Sequence, residues 1–186
     1  MAEVNQNITT KVESLNKNLT KIGVEPIQYD SQTDLASKTT SKSQELSELC
    51  RDEYAEFIDV SSIMDTVQSY INEETDKIRN KVNEKFQELT QTVVQKAAEA
   101  ATNGATPSNG IATAVQAATD VVQMVQKVKD DIEKVKEQIT DKIERLTINS
   151  NIVASNAVCF AIEKAKKAKK KAEAKKKMNK IKNKEQ

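Results

Sequence analysis

The chain has 186 residues, of which 37% are hydrophobic, 31% are charged and 3% are aromatic. So few aromatic side chains exclude a thick core of many layers. Three glycines and two prolines are also too few for a turn-rich β protein. This composition is typical of long helices, so we predict an all-α fold.

The net charge of +1 conceals a separation of charge along the chain. Residues 164 to 184 contain twelve lysines and one acidic residue, Glu173, and therefore carry a net charge of +11. The rest of the chain must then carry a net charge of −10. The sequence thus predicts an acidic body that is followed by a basic tail.

Missing residues exclude several classes of function. The chain has no histidine, which removes the commonest general base, proton shuttle and zinc ligand. The glycines Gly23, Gly104 and Gly110 stand apart, so the sequence has no phosphate-binding glycine loop. We therefore expect no enzyme activity, no catalytic residue, no metal site and no cofactor.

Signals for secretion and for membrane insertion are not found either. The N-terminal segment MAEVNQNITTKVESLNKN has no apolar stretch of the secretory type. No window has the roughly 18 consecutive apolar residues that a membrane span needs. We expect a protein that is not secreted by a signal peptide and that resides in the cytoplasm or within a viral particle.

The first predicted element, residues 1 to 23, is an amphipathic helix. Apolar residues recur there at steps of three or four. They are Val4, Ile8, Val12, Leu15, Leu19 and Ile22. Gly23 follows the last of them, in the position of a helix C-cap. Residues 24 to 43 are rich in Ser and Thr and are predicted to be a polar linker, with the next helix beginning between Thr33 and Ser43.

Residues 44 to 163 are predicted to form an elongated antiparallel helical hairpin or coiled coil. The first arm has an apolar stripe that is clearest from Val67 to Ala100. The turn is predicted at residues 102 to 110, TNGATPSNG, where Asn103-Gly104 can end one helix and Thr106-Pro107 can begin the next. The second arm has a nearly heptad stripe. Its members are Val121, Val125, Val128, Ile132, Val135, Ile139, Ile143, Leu146, Ser150, Val153, Ala157 and Phe160.

Ser150 puts a polar residue on this second stripe, with asparagines on either side of it. Two interpretations follow from the sequence. The polar residues either set the register of a continuous helix or mark a break in the helix.

Antiparallel arms bring together residues whose numbers sum to about 209 to 212, given the position of the turn. Cys50 and Cys159 sum to 209, so we predict that they are neighbours across the arms. They are expected to be two small buried thiols, with a disulfide as the alternative. Apolar faces that the arms leave uncovered predict self-association or protein partners along the helices.

The lysine-rich tail, residues 164 to 186, contains the candidate binding residues. Its lysines are expected to contact nucleic-acid phosphates or an acidic protein or membrane surface, or else only to keep the chain in solution. The tail has no arginine and no aromatic residue, so any contact with nucleic acid should be electrostatic and not sequence-specific. The candidate residues are Lys164, Lys166, Lys167, Lys169, Lys170, Lys171, Lys175, Lys176, Lys177, Lys180, Lys182 and Lys184.

These features predict a non-enzymatic structural component of a large assembly, such as a phage or virus particle. Its basic tail would contact nucleic acid or an acidic protein neighbour, and a membrane is not expected as its partner. Alanines on both sides of the predicted turn indicate close packing at the hairpin tip. The alternative hypothesis is a membrane-active or secretion-related helical protein that acts through this alanine-rich tip.

Overall fold

The structure, a computed structural model, describes residues 4–104 and 111–186, without the side chains of residues 96, 97, 100–104 and 111–121. The described chain is all-helical, which confirms the predicted fold class. Its helices are α1 (Gln6–Lys21), α2 (Gln32–Glu53), α3 (Ser61–Gly104) and α4 (Ile111–Lys184). They form two compact units: unit 1 comprises residues 1–72 and 144–186, and unit 2 comprises residues 73–143.

The helix α1 buries the apolar stripe that its sequence predicts. Its C-terminus closes in a Schellman motif, in which the Gly23 N–H donates to the Thr20 carbonyl at 3.1 Å and the Val24 N–H donates to the Leu19 carbonyl at 3.0 Å. Gly23 has a φ of +78°, a conformation that side chains with a Cβ rarely adopt. The predicted glycine cap is therefore confirmed. The buried residues of α1 are Ile8, Val12, Leu15 and Leu19.

Asn16 ties the connection between α1 and α2 to α1 by two hydrogen bonds. The Ile27 N–H donates to Asn16 Oδ1 at 2.7 Å, and Asn16 Nδ2 donates to the Ile27 carbonyl at 3.1 Å. A single amide thus pairs both backbone groups of a residue whose side chain is buried.

The polar linker is shorter than the predicted 24 to 43, because α2 already begins at Gln32. Ser31 caps this helix, since its Oγ accepts from the Asp34 N–H at 3.1 Å. Polar residues inside α2 are tolerated because their hydroxyls bond within the helix. The Thr39 hydroxyl, for example, is buried and donates to the Leu35 carbonyl at 2.9 Å.

The predicted first arm is also interrupted. Helix α2 ends at Glu53, and residues 54–60 connect it to α3. Tyr54 and Val60 of this connection are buried in the core of unit 1. Asp59 then caps the start of α3, because its Oδ1 accepts from the Ser61 N–H at 3.0 Å. The sequence stripe is clearest from Val67 onward, and the less regular part before it contains the end of α2 and the start of α3.

Contacts within unit 1 show that α1 and α4 run in the same direction. Lys11 Nζ donates to Asn149 Oδ1 at 3.1 Å, and Asn18 Nδ2 donates to Asn156 Oδ1 at 2.9 Å. Both pairs are separated by 138 positions. A constant difference between paired residue numbers requires parallel helices.

Helix α2 also runs parallel to α4. Gln32 Nε2 donates to Glu144 Oε2 at 2.8 Å, and Asn151 Nδ2 donates to Thr40 Oγ1 at 3.2 Å, with separations of 112 and 111 positions. The part of the predicted first arm that lies in α2 therefore does not run antiparallel to α4. Helix α4 continues through its polar residues without a break, and Asn151 uses its amide to contact α2.

The core of unit 1 gathers residues from every helix that enters the unit. Helices α1 and α2 and the residues that precede α3 pack against the part of α4 from residue 148 to residue 165. The largest apolar side chains that are fully buried are Leu15, Leu19, Leu35, Leu46, Ile148 and Ile162.

The described residues of unit 2 belong to α3 and α4. The side chains described in this unit are exposed or half-buried. The two helices line a common groove of about 170 Å³, whose apolar floor comes from the predicted stripes through Ile78, Val82, Val135 and Ile139. The predicted Thr106-Pro107 helix start and the packing of the alanine-rich tip lie outside the described residues.

Candidate functional site

The predicted basic tail is the last part of α4, which is helical as far as Lys184. The buried face of α4 ends at Ala165. From residue 167 onward the side chains are exposed, apart from a half-buried Ala172. We therefore divide the candidate lysines into two groups. The inner lysines are Lys164, Lys166, Lys167 and Lys169. The outer lysines are Lys170, Lys171, Lys175, Lys176, Lys177, Lys180, Lys182 and Lys184.

Lys166 joins the basic segment to the end of α1. Its Nζ donates to the Ile22 carbonyl at 2.6 Å. Ile22 is the C-cap of α1, where carbonyls lack helical partners and the helix dipole concentrates negative charge. Lys166 thus stabilises the fold and is not available to a ligand. Lys167 forms only an exposed ion pair, 3.8 Å from Glu163 Oε1.

Two more inner lysines contact aromatic rings. The Lys164 ammonium lies 4.5 Å from the centre of the Phe160 ring, and the Lys169 ammonium lies 5.6 Å from the centre of the Tyr54 ring. Cations placed over aromatic faces at such distances are attracted by the ring quadrupole. Lys166 and Lys169, which contact elements other than α4, therefore help to fix the direction in which α4 leaves the core, whereas Lys164 and Lys167 contact only residues of α4 itself.

The eight outer lysines are exposed and, within the described residues, make no hydrogen bond, ion pair or ring contact. Together with Glu173, which lies among them, they give residues 170–184 a net charge of +7. Lysines four positions apart on a helix repel each other. A polyanion that lies along this segment would remove that repulsion.

Because an α-helix has about 3.6 residues per turn, the eight outer lysines are distributed around most of the helix. Met178 and Ile181, three positions apart on one side of this segment, are each 58% exposed. The outer segment thus combines a high positive charge with one small apolar patch.

Cys50 and Cys159 both lie in the core of unit 1, where they are 1% and 3% exposed, and both are free thiols. Burial raises the pKa of each thiol to about 11, and a charge on Cys50 further raises that of Cys159. Such thiols stay protonated at neutral pH and are poor nucleophiles. They belong to α2 and α4, which run parallel, whereas the prediction paired them across antiparallel arms.

We expect the two thiols to make the protein less stable at alkaline pH. Their pKa is higher in the folded chain than the usual value of about 9, so above that pH the unfolded chain ionises first. The stabilisation is complete below pH 9 and is lost as the pH rises towards about 11. Urea unfolding at pH 7 and pH 10 should show a larger loss for the natural chain than for the double variant Cys50→Ala/Cys159→Ala. Equal losses would contradict this assignment.

The structure exposes part of the stripe that the sequence placed on the hairpin seam. Val153 is 66% exposed and Phe160 is 60% exposed, and Ala157 between them is exposed as well. Within unit 1, α4 instead buries Ile148, Ile152, Val158 and Ile162. The sequence pattern did not indicate this exchange of faces. Its only signal was this second apolar series, which runs beside the heptad series on the same helix.

An open groove of about 510 Å³ in unit 1 is bordered by Cys50, Arg51 and Asp59, but its thiol is protonated as described above. The described residues contain no group of three or more His, Cys, Asp or Glu side chains that could hold a metal ion. Among the same residues, no helix is long and apolar enough to cross a membrane.

Comparison of the chain with protein-family models, with curated proteins and with solved structures finds no significant match.

Proposed function

We propose that this protein is a non-enzymatic structural component of a large assembly, such as a phage or virus particle. In this proposal its outer lysines bind the phosphates of nucleic acid without reading the base sequence. The observation that carries the proposal is the contrast between the two groups of lysines. The inner lysines contact the folded chain, whereas the outer lysines are exposed and have no such contact.

The physical basis is the release of counterions. Each phosphate that a lysine neutralises frees condensed ions, so the affinity is high at low salt and falls steeply as salt is added. Contacts that specify a base are typically made by arginine forks, and single strands are typically bound by stacked aromatic rings. The outer segment has neither. Binding by this segment should therefore depend on charge density and be nearly independent of sequence.

A charge-matched pair of variants tests the proposal. Changing all eight outer lysines to glutamine should lower the affinity for random-sequence duplex DNA at least ~100-fold at low salt, because most phosphate contacts are lost. Changing the same eight lysines to arginine keeps the charge and should keep the binding. Gel mobility shifts or fluorescence anisotropy at several salt concentrations would measure both effects. A glutamine variant that binds as tightly as the natural chain would overturn the proposal.

An acidic protein neighbour is the second candidate partner, and one observation favours it. Met178 and Ile181 are exposed beside the outer lysines, and a charged phosphate backbone would not bury such apolar side chains. A protein surface with acidic groups around an apolar patch would bury both. The double variant Met178→Ser/Ile181→Ser should weaken binding to such a protein and leave DNA binding unchanged.

We further propose that α3 and α4 pair as the antiparallel hairpin or coiled coil that the sequence predicts. The groove that both helices line in unit 2 supports this pairing. The alternative function, membrane activity through the alanine-rich tip, depends on residues outside the described part of the chain. Flotation with lipid vesicles at high salt distinguishes the two, because binding by the outer lysines would be lost there and binding by an apolar tip would remain.

A further inference from the structure

An apolar strip, formed by Val153, Ala157 and Phe160, lies exposed on α4 in unit 1. It lies on the side of the helix opposite to the buried residues Ile148 and Ile162, so the core of this unit does not use it. Two large apolar side chains, each at least 60% exposed, stand on one face within two helical turns. A cluster of this kind is typical of a surface that another molecule covers.

The spacing of the strip indicates what shape of surface would cover it. Its residues follow each other at steps of four and three, which is the heptad spacing of a seam between two helices. Ser150 precedes the strip and Lys164 follows it at the same spacing, so polar residues bound the apolar part at both ends. One helix of about three turns would cover the strip completely.

We propose that the strip pairs with the same strip of a second copy of this chain, with the two α4 helices antiparallel about a two-fold axis. The order of side-chain sizes is self-complementary in this arrangement. Ala157 lies at the axis and faces Ala157 of the second copy, which allows the helices to approach closely. Val153 of each copy then faces Phe160 of the other.

The charges beside the strip are complementary in the same arrangement. Lys11 lies along one edge near its beginning, where its ammonium contacts Asn149 Oδ1 at 3.1 Å. Glu163 lies along the same edge near the end, four helical turns of about 3.6 residues beyond Asn149. A two-fold axis through Ala157 brings Lys11 of each copy towards Glu163 of the other, so the contact forms twice. In a parallel two-fold arrangement this edge of one copy would lie on the other side of the seam from the same edge of the second copy, so Lys11 would not meet Glu163.

The apolar part of this interface is small. Stable dimers bury roughly 800 Å² of surface on each partner, which three side chains do not provide. Residues around the strip must therefore contribute buried area as well, and we expect a dissociation constant on the order of 10 μM. This surface does not include the outer lysines, so the proposed dimer can be tested independently of nucleic-acid binding.

Sedimentation velocity over a range of concentrations tests the proposal on the full chain. The natural chain should shift from monomer to dimer, and Phe160→Asp should weaken the dimer at least ~100-fold because it removes the largest apolar side chain of the strip and puts a carboxylate against Val153 of the other copy. Ile181→Asp is the matched control, since Ile181 is about as exposed on the same helix but lies outside the strip. It should dimerise like the natural chain. A natural chain that stays monomeric, or a Phe160→Asp dimer of unchanged strength, would overturn the proposal.

A charge exchange tests the arrangement separately from folding. Lys11→Glu and Glu163→Lys should each weaken the dimer several-fold, and the two changes combined should restore it, since opposite charges face each other again. Failure of the combined variant to recover would reject the antiparallel geometry. The chain with eight outer lysines changed to glutamine should still dimerise. If Phe160→Asp instead lowers DNA binding and leaves the mass unchanged, the strip belongs to the nucleic-acid interface and the proposal is wrong.

Discussion

Replacing Ile162 by alanine is expected to lower the free energy of unfolding by about 3 kcal/mol, whereas replacing Ile181 by alanine should change it by less than about 0.5 kcal/mol. The two residues are of the same type and belong to the same helix, α4. Ile162 is fully buried in the core of unit 1, so the shorter side chain leaves a cavity there. Ile181 is 58% exposed and loses little apolar contact.

This pair of substitutions locates the point at which α4 leaves the core. Urea unfolding can be followed by tyrosine fluorescence, which reports on unit 1 because Tyr29, Tyr54 and Tyr70 all belong to it. The chain contains no tryptophan that would obscure the signal. Equal effects at the two positions would mean that the outer segment packs on the body and that the division into inner and outer lysines is wrong.

Replacing Asn16 by alanine should cost about 2 kcal/mol of stability, because it removes both hydrogen bonds to the backbone of Ile27. An alanine at this position has neither the donor nor the acceptor that the amide of Asn16 supplies. The connection that leads back to the start of α2 would then lose its attachment to α1. The same tyrosine signal measures the loss.

Asn18→Ala, two residues further along α1, is the matched control. Asn18 donates to the side chain of Asn156, at 2.9 Å, and a side-chain amide can turn towards water when its partner is removed. We expect a cost of less than about 1 kcal/mol for Asn18→Ala. A loss of stability at Asn16 no larger than that at Asn18 would contradict the prediction that the two hydrogen bonds to Ile27 stabilise the fold.

How much of the candidate site could be predicted depends on the kind of interaction. Composition alone identified the basic segment, since twelve lysines among 21 residues need no tertiary context to be recognised. Composition could not separate Lys166 from Lys170, because both are lysines in the same run. Only the end of α1, which brings the Ile22 carbonyl to Lys166, distinguishes them.

Features that depend only on neighbours along the chain could be predicted from the sequence. The stripe of α1 and the cap at Gly23 follow from helical periodicity and from the backbone freedom of glycine. The all-α class follows from composition in the same way. These are local properties, and they hold whatever the helix packs against.

The packing of the helices, and not a local pattern, sets the direction in which α2 runs and the face of α4 that is buried. Two apolar series run along α4 beyond Ser150, and a pattern on one helix cannot tell which of them other helices will cover. The parallel approach of α1 and α2 buries the series that includes Ile148 and Ile162. The heptad series of Val153 and Phe160 is thereby left at the surface, because one helix cannot face the same core with both of its sides.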